Sequence, residues 1–203
     1  PSYAAEVVAM TVRNTKLPVS VKIRAGDHRD QDLFFRFVEG LQSAGASVIC
    51  LHPRTQSQKR RGSADWDRIA AIKPYLSDMP LIGNGDLDSA ERVVDAFRRY
   101  DVDGVMIARA SLNKPWLFAQ ASAAVRGEPI PADPDLETER RLLLHHFELV
   151  RERFGEKKGA VLMRKYACCY AQGRPGAREF RKQVATIESA EQFIEVVEHS
   201  FPR

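Results

Sequence analysis

Four short apolar runs, each closing on a polar residue, recur through the N-terminal part of the chain. Their spacing constrains the fold more than any other feature. The runs end near Lys22, His52, Asn84 and Arg109, which are 30, 32 and 25 residues apart. Such an interval holds one strand, one helix and two loops, and so predicts successive βα units around a parallel sheet. The strand runs are "LPVSVKIRAG" (17–26), "ASVICLHPRT" (46–55), "MPLIGNGD" (79–86) and "VDGVMIARA" (102–110). "SVICL" and "DGVMI" are apolar at successive positions, which predicts strands covered by helices on both faces. Helical patterns alternate with them. "AEVVAMTVRNT" (5–15) places Val7, Val8 and Val12 on one side, and "DQDLFFRFVEGLQSAG" (30–45) has Asp30 or Asp32 as cap and Gly45 at its end. "ADWDRIAAIKPYL" (64–76), stopping around Pro74, and "SAERVVDAFRRY" (89–100) complete the series. Four strands make either a small open α/β sheet or the second half of a (βα)8 barrel, whose full form takes about 250 residues.

After "NKPWLFAQASAAVRG" (113–127) the pattern changes. "EPIPADPD", Glu128 to Asp135, carries three prolines in eight residues and reads as a linker. Helical patterns alone follow: "LETERRLLLHHFELVRERFG", "KGAVLMRKYACCYAQG", and "ESAEQFIEVVEHSF" with Ser189 as its cap. The organisation expected is therefore a four-unit βα part over 1–127, a linker over 128–135 and a small all-α part over 136–203.

With 44% hydrophobic and 29% charged residues among 203, the chain can bury a real core. No apolar run approaches the roughly 20 residues that span a bilayer, and no export signal opens the sequence. Three cysteines in no Cys-x-x-Cys arrangement exclude a disulfide framework and give no zinc pattern. A cytoplasmic setting without membrane or metal is expected. The net charge is only +4, but between Arg151 and Lys182 ten Lys/Arg face three Glu. A second basic run, "KRRG" (59–62), sits in a loop. Both suit a polyanion such as nucleic acid, and both equally suit a solvated face.

Ligands of parallel α/β folds bind at the carboxyl ends of the strands, where the polar residues of this chain fall. "GNGD" flanks Asn84 with two glycines that let backbone approach a ligand closely, and the helix starting near Ser89 adds a positive dipole end. "IARAS" supplies Arg109, whose guanidinium suits a phosphate. Together they outline half of a phosphate cup. Lys22 closes "VSVKI", with Arg24 two positions on and on the same side. His52, before Pro53, serves either a structural hydrogen bond or a ligand shared with Lys22.

"VSVKIRAG", "LHPRT" followed by Gln58, "PLIGNGDL", "DGVMIARAS" with "PWLF", and "MRKYACCYAQGRPGAREFRKQVATIES" occur in the same order in one family. On these motifs the chain resembles the tRNA-dihydrouridine synthases over essentially its whole length. The resemblance implies the C-terminal half of a TIM (βα)8 barrel that binds FMN, followed by a small all-α domain that binds tRNA. It implies an oxidoreductase in which NADPH reduces FMN and hydride then passes to C6 of a uracil flipped out of tRNA, giving 5,6-dihydrouridine. By motif, Lys22 and His52 contact the flavin ring system. Asn84, Gly85, Asp86 and Ala108 line the cofactor near its phosphate, and Arg109 binds that phosphate. Arg54 orients the uracil, and Arg164, Lys165, Arg178, Arg181 and Lys182 meet tRNA phosphates.

Two departures stand out. Ala108 occupies a position where the family usually has glycine. The family's catalytic cysteine, in an "NMGCP"-like loop, has no counterpart among Cys50, Cys168 and Cys169, so no catalytic residue is assigned. The chain is accordingly expected to be inactive alone and to act as part of a longer synthase. The competing readings are a non-enzymatic RNA-binding remnant, and another barrel enzyme for FMN or a phosphorylated metabolite, completed as a homodimer.

Overall fold

Short β-branched runs between amphipathic helices fold as their spacing requires. The structure, a computed structural model, describes residues 2–26 and 31–201. Four strands, β1 (Ser20–Arg24), β2 (Val48–His52), β3 (Leu81–Asn84) and β4 (Gly104–Met106), form one parallel sheet in the order β1-β2-β3-β4. In register, Lys22 lies beside Cys50, Cys50 beside Ile82, and Asn84 beside Met106. Helices α1 (Ser2–Arg13), α2 (Gln31–Ser43), α3 (Asp67–Ala70) and α4 (Ala90–Tyr100) alternate with the strands, and a single 3-10 turn covers Lys73–Tyr75. Then come α5 (Ala110–Asn113), α6 (Leu117–Val125), α7 (Leu136–Phe154), α8 (Glu156–Tyr170), α9 (Ala177–Ala185) and α10 (Ala190–Ser200). The chain is α/β, and no strand occurs beyond β4 among the described residues.

The chain divides into two compact units, residues 1–108 with 121–129, and residues 109–120 with 130–203. In the first, strand alternation sorts side chains onto two unlike faces. Ile49, Leu51 and Leu81 are fully buried on one face, in a core shared with Val8, Phe34, Val38, Leu41, Ile69 and Ile72 from the helices. Burying side chains of this size stabilises by about 1.5–3 kcal/mol each. The opposite parity carries Lys22, Arg24, Cys50, His52, Ile82, Asn84 and Met106. The apolar runs predicted two helix-covered faces; only one face is built that way, because the polar residues share a single parity. In α1 it is Val8 that is buried, while Val7 stands exposed, so the helix faces the core about one residue away from the predicted stripe.

Local signals place several ends. Ser89 caps α4 by accepting the Arg92 N–H, and Asp103 ties the start of β3 by accepting the Leu81 N–H at 2.8 Å and the Lys73 ammonium at 2.6 Å. Gly45, at φ +94°, turns the chain out of α2. The alternative cap at Asp30 lies outside the described residues. Pro74 sits inside the 3-10 turn, and the helix before it is only Asp67–Ala70. β4 ends at Met106, three residues before Arg109, which instead precedes α5 in helical conformation.

In the second unit, α7 to α10 close over Leu143, Phe147, Met163, Val184, Phe193 and Val197, all buried, with the Phe147 and Phe193 rings 4.4 Å apart. A Cβ on Gly159 would lie 3.1 Å from the Arg151 backbone, so a small residue there lets α7 and α8 approach closely. Asp135 and Ser189 cap α7 and α10. Helix α9 has no counterpart among the predicted helices. Its "GRPG" entry reads as a break, and only Phe180 and Val184 mark its buried side. Part of the segment read as a linker is strapped down. Asp133 accepts from Trp116 Nε1 at 2.9 Å and from Gln120 Nε2 at 3.0 Å, and Gln120 also donates to the Pro131 carbonyl. Residues 109–120 belong with these helices rather than with the sheet.

Candidate functional site

The polar face of the sheet concentrates at its carboxyl end. Lys22 reaches past the neighbouring strand to donate to Asn84 Oδ1 at 3.0 Å, and Asn84 donates from Nδ2 to the Met106 carbonyl at 2.6 Å. Asn84 is 4% exposed, so both ends of its amide are set by protein before any ligand arrives. Lys22 itself is exposed and keeps further N–H donors for a neighbour. Between them in strand order stands His52. The Arg54 N–H donates to His52 Nδ1 at 3.2 Å, which puts the ring proton on Nε2. Burial pushes the His52 pKa down, and the charges of Arg24, Lys22 and Arg54 push it further, against a smaller opposing pull from Asp86. The imidazole is therefore a neutral donor beside an ammonium. Cys50 lies on the same parity, with its Sγ 3.7 Å from Met106 Sδ; burial raises its pKa, partly offset by Lys22, and keeps it a thiol.

The loop beyond His52 is held by arginines. Arg54, 4% exposed, makes a two-pronged ion pair with Asp86, at 2.9 and 2.6 Å, and donates to the Gly62 carbonyl at 2.6 Å. Asp86 also accepts the Ala64 N–H at 2.8 Å. Arg24 donates to the Thr55 and Lys59 carbonyls, and Arg68 to those of Pro53 and Gly26. The resemblance assigns Arg54 to the uracil; its guanidinium is buried and braces the loops after β2 and β3 against each other. Arg24 carries one signal in the sequence, its shared parity with Lys22, and Arg68 carries none.

The glycines around Asn84 answer to packing. A Cβ on Gly83 would stand 2.4 Å from the Trp66 ring, and one on Gly85 would stand 2.8 Å from Ala64 Cβ. Gly85 has φ +141° and Asp86 φ +53°, so the turn is unusual backbone held by Trp66 Nε1 donating to the Gly85 carbonyl at 3.0 Å. The space beside both glycines is thus filled by the chain itself. Ala108 and Arg109 are both exposed and fall on either side of the division between the units.

In the helical unit the predicted basic residues part company. Arg164 donates from Nε and a terminal nitrogen to the Ile187 carbonyl, at 2.8 and 2.5 Å, tying α8 to the turn after α9. Lys165 is exposed, with its ammonium 5.8 Å over the Tyr166 ring. Arg178, Arg181 and Lys182 are exposed at helical spacing on α9, with only a solvent-exposed Lys182–Glu179 pair at 3.5 Å among them. Buried Glu139 is paired with Arg174. Among the described residues no group of His, Cys, Asp and Glu is arranged to hold a metal ion, and no helix is long and apolar enough to cross a membrane.

The strand ends of this parallel α/β sheet thus carry an ammonium, a neutral imidazole donor and a fixed amide, a donor set that suits an electron-rich ligand. The family is defined more closely by comparison: the model of the family described as "Dihydrouridine synthase (Dus)" matches residues 1–203, and the chain belongs to that family. It is 35% identical over 190 residues to the Mycobacterium leprae protein named "Probable tRNA-dihydrouridine synthase", covering 92% of this chain and 50% of that protein. It is 34% identical over 191 residues to "tRNA-dihydrouridine synthase B" of Pseudomonas aeruginosa, covering 94% and 57%. The chain thus spans about half the length of the curated relatives it matches. Among solved structures, a mandelate oxidase aligns with 97% of this chain and 68% of its own at 13% identity and a TM-score of 0.33, too low to carry an argument.

Proposed function

We propose that this chain supplies part of the FMN site and part of the tRNA-binding surface of a tRNA-dihydrouridine synthase, which reduces uridine in tRNA to 5,6-dihydrouridine. In this reading residues 1–127 are four βα units from the second half of a TIM barrel, and 136–203 form the helical tRNA-binding domain beyond the segment 128–135. The single observation that carries it is the Lys22–Asn84 hydrogen bond at the strand ends, with His52 standing between. The donor set suits a flavin: Lys22 offers positive potential and the N–H donors left over from its bond to Asn84, and His52 offers a neutral N–H. FMN supplies the hydride chemistry when bound, and NADPH is its proposed reductant. Lys22 and His52 orient the ring system and favour its anionic reduced state. Asn84, through its bonds to Lys22 and the Met106 carbonyl, holds the ammonium in place. The resemblance assigns Gly85, Asp86 and Ala108 to the phosphate end of the cofactor, where Asp86 acts by anchoring Arg54 and the Ala64 N–H. Arg54 acts on the uracil side by fixing the loop that borders it. Lys165, Arg178, Arg181 and Lys182 present charge to tRNA, and Arg164 positions the α8–α9 region as well as adding charge.

The test uses a synthase of the relatives' full length that carries this sequence. Lys22→Ala and Asn84→Ala are each expected to lower the FMN retained on purification, read from the flavin absorbance, with little change in far-UV circular dichroism. Flavin content equal to wild type in both variants defeats the assignment.

A further inference from the structure

The basic run "KRRG" is left without a role by the site described above, yet its loop is held by several hydrogen bonds to the rest of the sheet unit and within itself. Two arginines hold its backbone carbonyls. Arg24 takes the Thr55 and Lys59 carbonyls, both at 3.2 Å, and Arg54 takes the Gly62 carbonyl. Thr55 and Gln58 close a reciprocal pair: the Thr55 N–H donates to Gln58 Oε1 at 2.9 Å, and the Gln58 N–H to Thr55 Oγ1 at 3.1 Å. The Arg61 N–H donates to the Gln58 carbonyl at 2.8 Å, and Lys59 adopts φ +53°, a conformation that side chains enter only when the surroundings impose it. The result is three consecutive cations, Lys59, Arg60 and Arg61, all exposed and without an ion pair to any other described residue. The loop therefore presents these three cations to solvent beside the exposed polar Gln56, Ser57 and Gln58. Next to it, after Gly62, a cleft of about 210 Å³ opens between Ser63–Ala64 and α4, with Arg92 and Arg99 on its far wall and Asp95 beside them.

We propose that residues 59–61 form an RNA-backbone contact on the sheet unit, separate from the basic face of the helical unit. This rests on the reading of tRNA as the substrate. An RNA phosphate backbone is the occupant this chemistry fits. Closely spaced phosphates match three adjacent cations on a pre-ordered loop, and such contacts position the nucleic acid without reading its sequence. The loop leaves the same strand end as His52, so a contact made there orients the RNA toward the candidate site. Pre-ordering by Arg24 and Arg54 lowers the entropy lost when the loop is gripped.

The experiment measures binding of an unmodified tRNA transcript to the 203-residue chain by fluorescence anisotropy, between about 50 and 200 mM salt. Three proteins are compared with wild type: K59A/R60A/R61A, the charge-preserving K59R/R60K/R61K, and K165A/R178A/R181A/K182A on the helical face. The expected result is that K59A/R60A/R61A weakens binding about tenfold or more at the upper salt and flattens the slope of log affinity against log salt by about two units. The charge-preserving variant stays within about twofold of wild type. An unchanged slope in K59A/R60A/R61A, while the helical-face variant loses affinity, overturns this contact and leaves the tRNA reading standing. An equal loss in the charge-preserving variant overturns it too, because shape rather than charge would then be at work. No binding by wild type removes the tRNA-surface assignment of this chain and this inference together.

Discussion

The strand-end loops of one unit and helix α9 of the other use cationic side chains in opposite ways. In the sheet unit Arg24, Arg54 and Arg68 donate their guanidinium N–H groups to loop carbonyls and, from Arg54, to Asp86. In the helical unit Arg178, Arg181 and Lys182 turn outward from a core of Phe147, Met163, Phe193 and Val197 that is apolar without them. The difference follows from what each architecture leaves unpaired. A helix satisfies its backbone internally, so its surface cations are free for a partner. The strand ends of a parallel sheet release the chain into loops whose carbonyls need donors, and a five-donor guanidinium can serve several at once. Arg164 and Arg174 are the exceptions that fit the rule: Arg164 serves the free Ile187 carbonyl in a turn, and Arg174 a buried carboxylate.

The sharpest way to break this comparison is Arg54→Ala. Removing one partner leaves Asp86 facing a void and the Gly62 carbonyl without its donor, so urea unfolding is expected to show a loss of about 3–5 kcal/mol. Arg178→Ala, chemically the same change in the other unit, is expected to stay within about 0.5 kcal/mol. Equal losses in both would end the distinction. Gly83→Ala comes next, costing about 1–3 kcal/mol as its methyl group meets the Trp66 ring, and the displaced indole should report through its fluorescence. Smaller still is Asp103→Asn, at about 1 kcal/mol near neutral pH.

Asp103 also gives that last variant a pH signature. The Leu81 N–H, and then the Lys73 ammonium, hold its carboxyl below the ordinary carboxylate range. Its contribution is therefore full above the unfolded pKa of about 4 and fades as pH falls through the lower folded value. The stability gap between wild type and Asp103→Asn should narrow on acidification. A gap that holds constant to low pH would show that the carboxylate's charge is not what ties β3.

Much of the fold was legible beforehand because its signals are local. The interval between strand ends, the helix start near Ser89, the cap at Ser189 and the turn at Gly45 each depend on a few neighbouring residues. Helix α9 was not legible, since a Gly-Arg-Pro-Gly entry and two buried apolar residues look the same in a loop. The strapping at Asp133 was hidden for another reason: its donors, Trp116 and Gln120, are 17 and 13 residues away and carry no mark of their destination. At the candidate site, parity along "VSVKI" and "VICLH" was enough to put Lys22, Arg24 and His52 on one face. It was not enough to say that Lys22 would bond Asn84 across an intervening strand.

Sequence alone determined the βα period, the family and the set of cations from which any anion site must be drawn. Tertiary structure alone decided which cations remain available. Arg54 is committed to Asp86, 32 residues on, and Arg164 to Ile187, 23 residues on, while Lys22, Lys165 and the cations of 59–61 stay exposed. The physical reason is that an arginine's fate depends on which unpaired carbonyl or carboxylate folding brings within about 3 Å of it. That partner is distant in sequence, and no local pattern announces it.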